Sequence, residues 1–273
     1  MTCPATVNFG RLPAAIFAWL TLAATAHAAP SVEELAKLAQ NPIGNVISVP
    51  FQNNTNFDLG PGKAPQNILN IQPVVPFHLS EDWNIITRTV IPVTSQPAFV
   101  DGQPRTDGLG DIELTASLSP AAPPGLRWGV GVIAQLPTHS APLLGNDRWG
   151  IGPSLIVLHV NHESPWVVGV YLHNIRSVGG GEGPKYNTLT VQPFVNYNLP
   201  DGVYLTSSPG ATGDWTAEPR NRWTVPIGGG IGKVVHLGKV PMNNQIGAYY
   251  NVERPEFGAR WQLRAQVQFL FPK

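Results

Sequence analysis

The residues from Trp261 onward alternate in polarity: Trp261, Leu263, Ala265, Val267, Phe269 and Phe271 share one parity, and Gln262, Arg264, Gln266 and Gln268 share the other. Successive side chains of a strand point to opposite faces, so this is a strand with one apolar and one polar side. Half-buried strands of soluble proteins alternate as well. A strand that crosses a bilayer needs roughly 9 to 11 residues and keeps a polar face when that face looks into a barrel. The segment meets both conditions.

Read the same way, the chain yields about twelve strands, near residues 44–54, 66–78, 82–93, 109–118, 126–136, 148–159, 165–175, 187–197, 202–208, 222–233, 243–252 and 259–271. An even count suits a single-chain outer-membrane barrel. Residues 54–65, 94–108, 137–147, 177–186 and 209–221 form long connections, whereas 79–81, 161–164 and 199–201 are short. Long outer loops and short periplasmic turns are the habit of such barrels, which puts the amino-terminal side in the periplasm. With 28 glycines and 28 prolines, long helices have little room. The expected fold class is all-β, an antiparallel transmembrane β-barrel of about 12 strands with a short N-terminal helix.

Three segments organise the chain: residues 1–28, 29–43 and 44–273. The first reads as a cleaved signal peptide, with Arg11 before the apolar run Leu12 to Ala24 and the small-residue site Ala26-His27-Ala28. Its only cysteine, Cys3, would be removed, which excludes disulfides, thiolate metal sites and cysteine nucleophiles in the mature chain. The second segment carries one helix, Val32 to Gln40, with a capping box of Ser31 and Glu34 and an apolar stripe of Val32, Leu35 and Leu38. It could plug the periplasmic mouth or lie in the interface. The third segment is the barrel.

Tryptophans mark where the bilayer would begin and end, because their rings favour the membrane interface. Trp83, Trp128, Trp149, Trp166, Trp223 and Trp261 each open an expected strand, and the same parity then stays mainly apolar, as in Trp128, Val130, Val132, Ala134 and Leu136. A soluble β-sandwich would instead set its tryptophans mid-strand, toward a core.

The opposite parity should line the lumen. Its candidates for solute selection are Arg88, Asp111, Glu113, Arg127, Gln192, Gln262, Arg264 and Gln266. Charges inside an apolar shell must be paired or hydrated, so Arg88, Asp111, Glu113, Arg127 and Arg264 form either a mutual ion network or a charge-selective constriction. Gly129, Gly131, Gly152, Gly169, Gly228, Gly230, Gly232 and Gly247 fall on the same parity. They either leave room inside or relieve bends in the wall.

Other chemistry finds little purchase. The run Gly228 to Lys233 lacks the spacing and the Ser/Thr of a phosphate loop. His159 and His162 are three apart, but no histidine has a carboxylate at metal-ligand spacing. Ser154 with His159, or Ser164 with His162 and Glu163, could be offered for hydrolysis, yet no nucleophile elbow accompanies them. The sequence therefore implies no enzyme, cofactor or metal. Only 12% of residues are charged, 17 basic against 17 acidic, so nucleic acid is not an expected partner. Outer-membrane lipids, the barrel-assembly machinery and a small solute are.

Several short motifs add a resemblance: Asn41-Pro42, Val49-Pro50-Phe51-Gln52-Asn53-Asn54, Gly108-Leu109-Gly110-Asp111-Ile112, Trp149-Gly150-Ile151-Gly152-Pro153, Asp214-Trp215, and Arg222-Trp223-Thr224-Val225-Pro226-Ile227-Gly228-Gly229-Gly230. Across nearly the whole mature chain, the sequence resembles the bacterial outer-membrane barrel family associated with the phenol meta-degradation pathway, members of which are often mislabelled neuromedin U. The resemblance implies a barrel linked to uptake of hydrophobic or aromatic compounds. The combined expectation is a Gram-negative, porin-like channel or transporter working by passive diffusion. A barrel that anchors, senses or modifies lipid is the alternative.

Overall fold

A computed structural model describes residues 30–272, apart from 101, 122–124 and 162. The signal-peptide expectation, Cys3 and His162 fall outside these residues. The described chain is one helix, α1 (Val32–Ala39), followed by a closed antiparallel barrel of twelve strands. They are β1 (Ile47–Leu59), β2 (Ala64–Ile71 and Val74–His78), β3 (Trp83–Gln96), β4 (Thr106–Leu109 and Ile112–Pro120), β5 (Leu126–Leu136), β6 (Arg148–Val160), β7 (Trp166–Gly180), β8 (Asn187–Asn198), β9 (Val203–Ser207 and Ala211–Asp214), β10 (Trp223–Leu237), β11 (Val240–Glu253) and β12 (Trp261–Phe271). Each pairs with its sequence neighbour, and β12 returns to β1 in unbroken register from Ile47↔Phe271 to Phe57↔Trp261. Among the described strands no sheet edge is left open, as a membrane-spanning sheet requires.

Strand boundaries depart from expectation mainly at the rim opposite α1. Residues 54–59 belong to β1, and the connection to β2 shrinks to 60–63, closed by a Lys63 N–H bond to the Gly60 carbonyl. Polar ladders extend the strands there: Asn53 and Asn67 bond side chain to side chain at 2.9 Å, as do Asn56 and Gln66 at 2.8 Å. Runs of Asn and Gln suggest a loop by composition, but in a rim standing in water both faces of a strand can be polar. Inside the barrel, β2 breaks at Gln72-Pro73, where proline has no N–H for the ladder.

The two faces segregate cleanly. Leu114, Leu118, Val130, Val132, Ile151, Leu155, Val168, Ile231, Ile246 and Leu263 are exposed on the outside, while Ile133, Ile156, Leu158, Val167, Phe194 and Tyr204 are buried within. Trp83, Trp128 and Trp166 stand at the helix end of the barrel, and Trp149, Trp223 and Trp261 at the loop end. Edge-to-face pairs support them: Trp83 with Trp128 at 6.0 Å, Trp166 with Tyr197 at 4.7 Å and Trp261 with Tyr250 at 4.7 Å. The wall glycines serve close approach. A Cβ at Gly131 would overlap the Ala116 carbonyl and one at Gly152 the Asn174 carbonyl, so the wall bends where only hydrogen fits. Gly228 to Gly232 lie within β10, not in a phosphate-binding loop.

Candidate lumenal site

One mouth of the barrel is sealed from inside by α1 and the segment that follows it. The capping box forms as expected, with Glu34 N–H donating to Ser31 Oγ at 3.1 Å and Ser31 N–H to Glu34 Oε2 at 3.0 Å. The stripe of the short helix then has one place to go. Leu35 and Ala36, each 1% exposed, pack on Val234 of β10, and Leu38 packs beside them. Burying Leu35 alone contributes about 2 kcal/mol. Polar contacts set the register of the plug: Lys37 Nζ donates to the Asn161 carbonyl at 3.0 Å, and the Gln40 and Asn198 amides exchange bonds of 2.9 and 3.1 Å. Ile43 continues inward and joins Val74, Ile86, Ile156, Leu158, Val167 and Phe194 in a core inside the barrel. The helix is therefore a plug in the lumen and not an interfacial helix.

Above this floor lies a cavity of about 200 Å³. Its apolar part is Ile43, Val46, Val74, Ile86, Ile156 and Phe194; its polar part includes Gln52, Gln72, Thr115, Gln192, Asn196 and Gln266. Its two charged lining residues are Arg88 on β3 and Arg264 on β12. The Arg88 guanidinium donates to the Gln72 side-chain carbonyl and stands 5.9 Å from the centre of the Tyr171 ring. Arg264 donates to Asn54 Oδ1 at 3.2 Å, the Ser208 carbonyl at 2.9 Å and Gln262 Oε1 at 3.0 Å, and lies 4.6 Å from the centre of the Tyr249 ring. Every one of these partners is neutral.

Of the eight residues read as lumenal, Arg88, Gln192, Arg264 and Gln266 line this cavity; Asp111, Glu113, Arg127 and Gln262 do not. The mutual ion network also does not form. Among the described residues none of the three arginines pairs with a carboxylate. Arg88 stands directly opposite Thr115, with Glu113 its diagonal neighbour opposite Val90 and Gln135; the guanidinium instead turns to Gln72 and Tyr171. Arg127 sits toward the helix end opposite Leu158, with its Nε buried and without a hydrogen-bond partner. Gln262 bridges Arg264 to Asn56.

Asp111 has a different task. Its carboxylate, nearly buried in the gap within β4, accepts from the backbone N–H groups of Thr138, His139 and Asn146, from Gln135 Nε2 and from His139 Nδ1, at 2.6 to 3.2 Å. It fastens the β5–β6 connection to the rim. That connection in turn holds the next one, through Gly181 N–H to the Asp147 carbonyl, Asn146 Nδ2 to the Pro184 carbonyl, and Arg148 Nε to the Gly183 carbonyl. The segment 177–186, expected as a long connection, is thus clasped to its neighbour.

Sequence reasoning missed Tyr171, Tyr249 and the post-helix residues Asn41 to Val46. The tyrosines share parity with Gly169 and Gly247, so the lumenal assignment would have found them. Ser154 and His159 are not brought together: Ser154 points inward with its Oγ lacking a hydrogen-bond partner among the described residues, while His159 lies exposed on the other parity of the same strand.

Neither a protein-family profile nor a curated protein sequence matches the chain. Solved structures do. The fold is similar to an outer membrane channel from Pseudomonas putida F1, with a TM-score of 0.64 and 18% identity over 85% of this chain and 97% of that one. Weaker similarities reach outer membrane phospholipase A from Escherichia coli, at a TM-score of 0.44 and 12% identity over 90% and 99% of the two chains, and a Pseudomonas aeruginosa FadL homologue, at 0.42 and 9% over 83% and 89%. The first likeness establishes the outer-membrane barrel fold.

Proposed function

We propose that this protein is an outer-membrane channel or transporter that lets small solutes diffuse down their gradients, hydrophobic and aromatic ones among them. The observation that carries the reading is the cavity of about 200 Å³ enclosed by the barrel wall and floored by a short docked segment instead of by the wall itself. The channel from Pseudomonas putida F1 with the similar fold agrees with this reading. Aromatic solutes come from the sequence resemblance, and Arg88, Gln192, Arg264 and Gln266 are the residues from which selectivity would arise.

In this reading residues 1–28 direct export and are removed, the helix end faces the periplasm, and the loop end faces outward. The outer-membrane lipids contact the apolar belt, and the assembly machinery inserts the barrel. The test is swelling of liposomes that carry the refolded protein, with neutral sugars and small aromatic alcohols as solutes and protein-free liposomes as baseline. Swelling above baseline with sugars identifies an open aqueous pore; swelling above baseline with aromatics alone identifies a narrower, apolar-tolerant path. Baseline rates for both, from protein that keeps its heat-modifiable mobility on gels, would sink the transport reading.

A further inference from the structure

The lumen contains two guanidinium groups that nothing in the described structure neutralises by direct contact, and both line the same cavity. Arg264 is the more demanding case. It is 8% exposed and its acceptors are an amide side chain from Asn54, another from Gln262 and the Ser208 backbone carbonyl. A buried charge satisfied only by neutral dipoles keeps much of its attraction for an anion, because desolvation has already been met by the fold. Arg88 is held by Gln72 and the face of Tyr171, and the Glu113 carboxylate, two residues along the neighbouring strand on the same face, attracts it without pairing with it. Asp111 is committed to the rim amides, and Glu113 stands outside the cavity lining.

The rest of the lining supplies a counterpart of opposite character, with Ile86, Ile156 and Phe194 on the wall and Ile43 on the floor. An apolar cavity of about 150 Å³ is enough to bind benzene. This one, at about 200 Å³, adds space for one small polar group.

From these juxtaposed features we infer that the cavity is a binding site for a small aromatic monocarboxylate, its acid group between Arg88 and Arg264 and its ring against Ile86 and Phe194. The inference rests on the transport reading for its biological sense, and on Arg88, Arg264 and the apolar floor for its chemistry. A planar guanidinium meets a carboxylate through two parallel hydrogen bonds, which a neutral alcohol cannot reproduce and an ammonium repels.

The probes are benzoate, benzyl alcohol and benzylammonium, compared by saturation-transfer NMR on the refolded full barrel in a zwitterionic detergent at neutral pH. Benzoate is expected to give the strongest transfer, and Arg88→Gln and Arg264→Gln each to weaken its binding roughly tenfold, as loss of one charged hydrogen-bonding group does. Arg264→Gln removes three structural bonds, so Arg88→Gln is the second, gentler variant, and both are scored only on protein with native heat-modifiable mobility. Equal transfer to all three probes, or benzoate binding untouched by both substitutions, would overturn the inference. Planar-bilayer recordings separate its failure from that of the transport reading. Ionic current with no benzoate preference ends the anion site and leaves the channel; benzoate binding without any current ends the channel and leaves the site.

Discussion

The two ends of the barrel are held by opposite means. At the helix end, Leu35 and Ala36 are driven against Val234 and Ile43 into the core around Ile86 and Phe194, so the seal is apolar surface removed from water. At the loop end, the Asn53–Asn67 ladder and the Asp111 carboxylate with its ring of donors hold strands and connections together by directed polar bonds. Apolar packing is indifferent to angle and can release as a unit when a single face is spoiled. A polar hub fixes geometry and fails locally, leaving neighbouring bonds intact. The helix end is therefore built as a stopper, and the loop end as a frame.

The sharpest way to break this contrast is Leu35→Asp. An unpaired carboxylate in a site 1% exposed costs about 3 kcal/mol or more, enough to undock so short a helix, whereas the wall strands are untouched. Single-channel conductance should rise several-fold with heat-modifiable mobility unchanged; unchanged conductance would show that the plug does not limit flow. Next in size is Asp111→Asn, which keeps the shape but removes the anion that five donors share. A loss of about 2 to 3 kcal/mol is expected at the loop end. It should be read as faster proteolysis within 137–147 while conductance through the stopper stays as it was.

Gly152→Ala tests the wall between the two ends. Its Cβ would collide with backbone of β7, so refolding yield should fall sharply, without a preference for either end. Smaller still is Ser31→Ala, worth about 1 kcal/mol of helix capping, visible as more frequent opening events in the recordings.

The smallest effect is one of pH. Its own backbone N–H first, then the Ser31 hydroxyl and the Asp201 N–H from the facing turn, hold the Glu33 carboxyl below its ordinary range. A depressed folded-state value means the contribution is complete above that ordinary range and fades as pH falls through the lowered one. Opening frequency should thus rise slightly on acidification, and Glu33→Gln should flatten that response.

The architecture was legible because a barrel writes its two faces into alternating residues. Trp128-Val130-Val132 against Arg127-Gly129-Gly131 is a complete instruction for which side meets lipid, and the even strand count followed from repeating it. Register was not legible. Which residue stands directly across from Arg88 depends on how β3 slides along β4; the observed slide sets Thr115 there and Glu113 one diagonal step away. The role of Asp111 was hidden for a related reason: apart from Gln135 on β5, its partners Thr138, His139 and Asn146 come from a connection whose path no periodicity describes. The capping box of α1 could be read locally, but its docking on β10 depends on closure of the whole barrel.

That closure has a consequence in time. Arg264 bonds to Asn54 across 210 residues of chain, and β12 meets β1 along its entire length. Contacts of such separation carry a large loop-closure entropy and form slowly. The space that α1 fills, bounded by Val234 and the turn at Asp201, does not exist until the late strands are in place. The segment made before the first strand must therefore wait for the later ones before it can find its seat. During that interval the newborn barrel has walls but no floor, so an inserted protein caught early would leak.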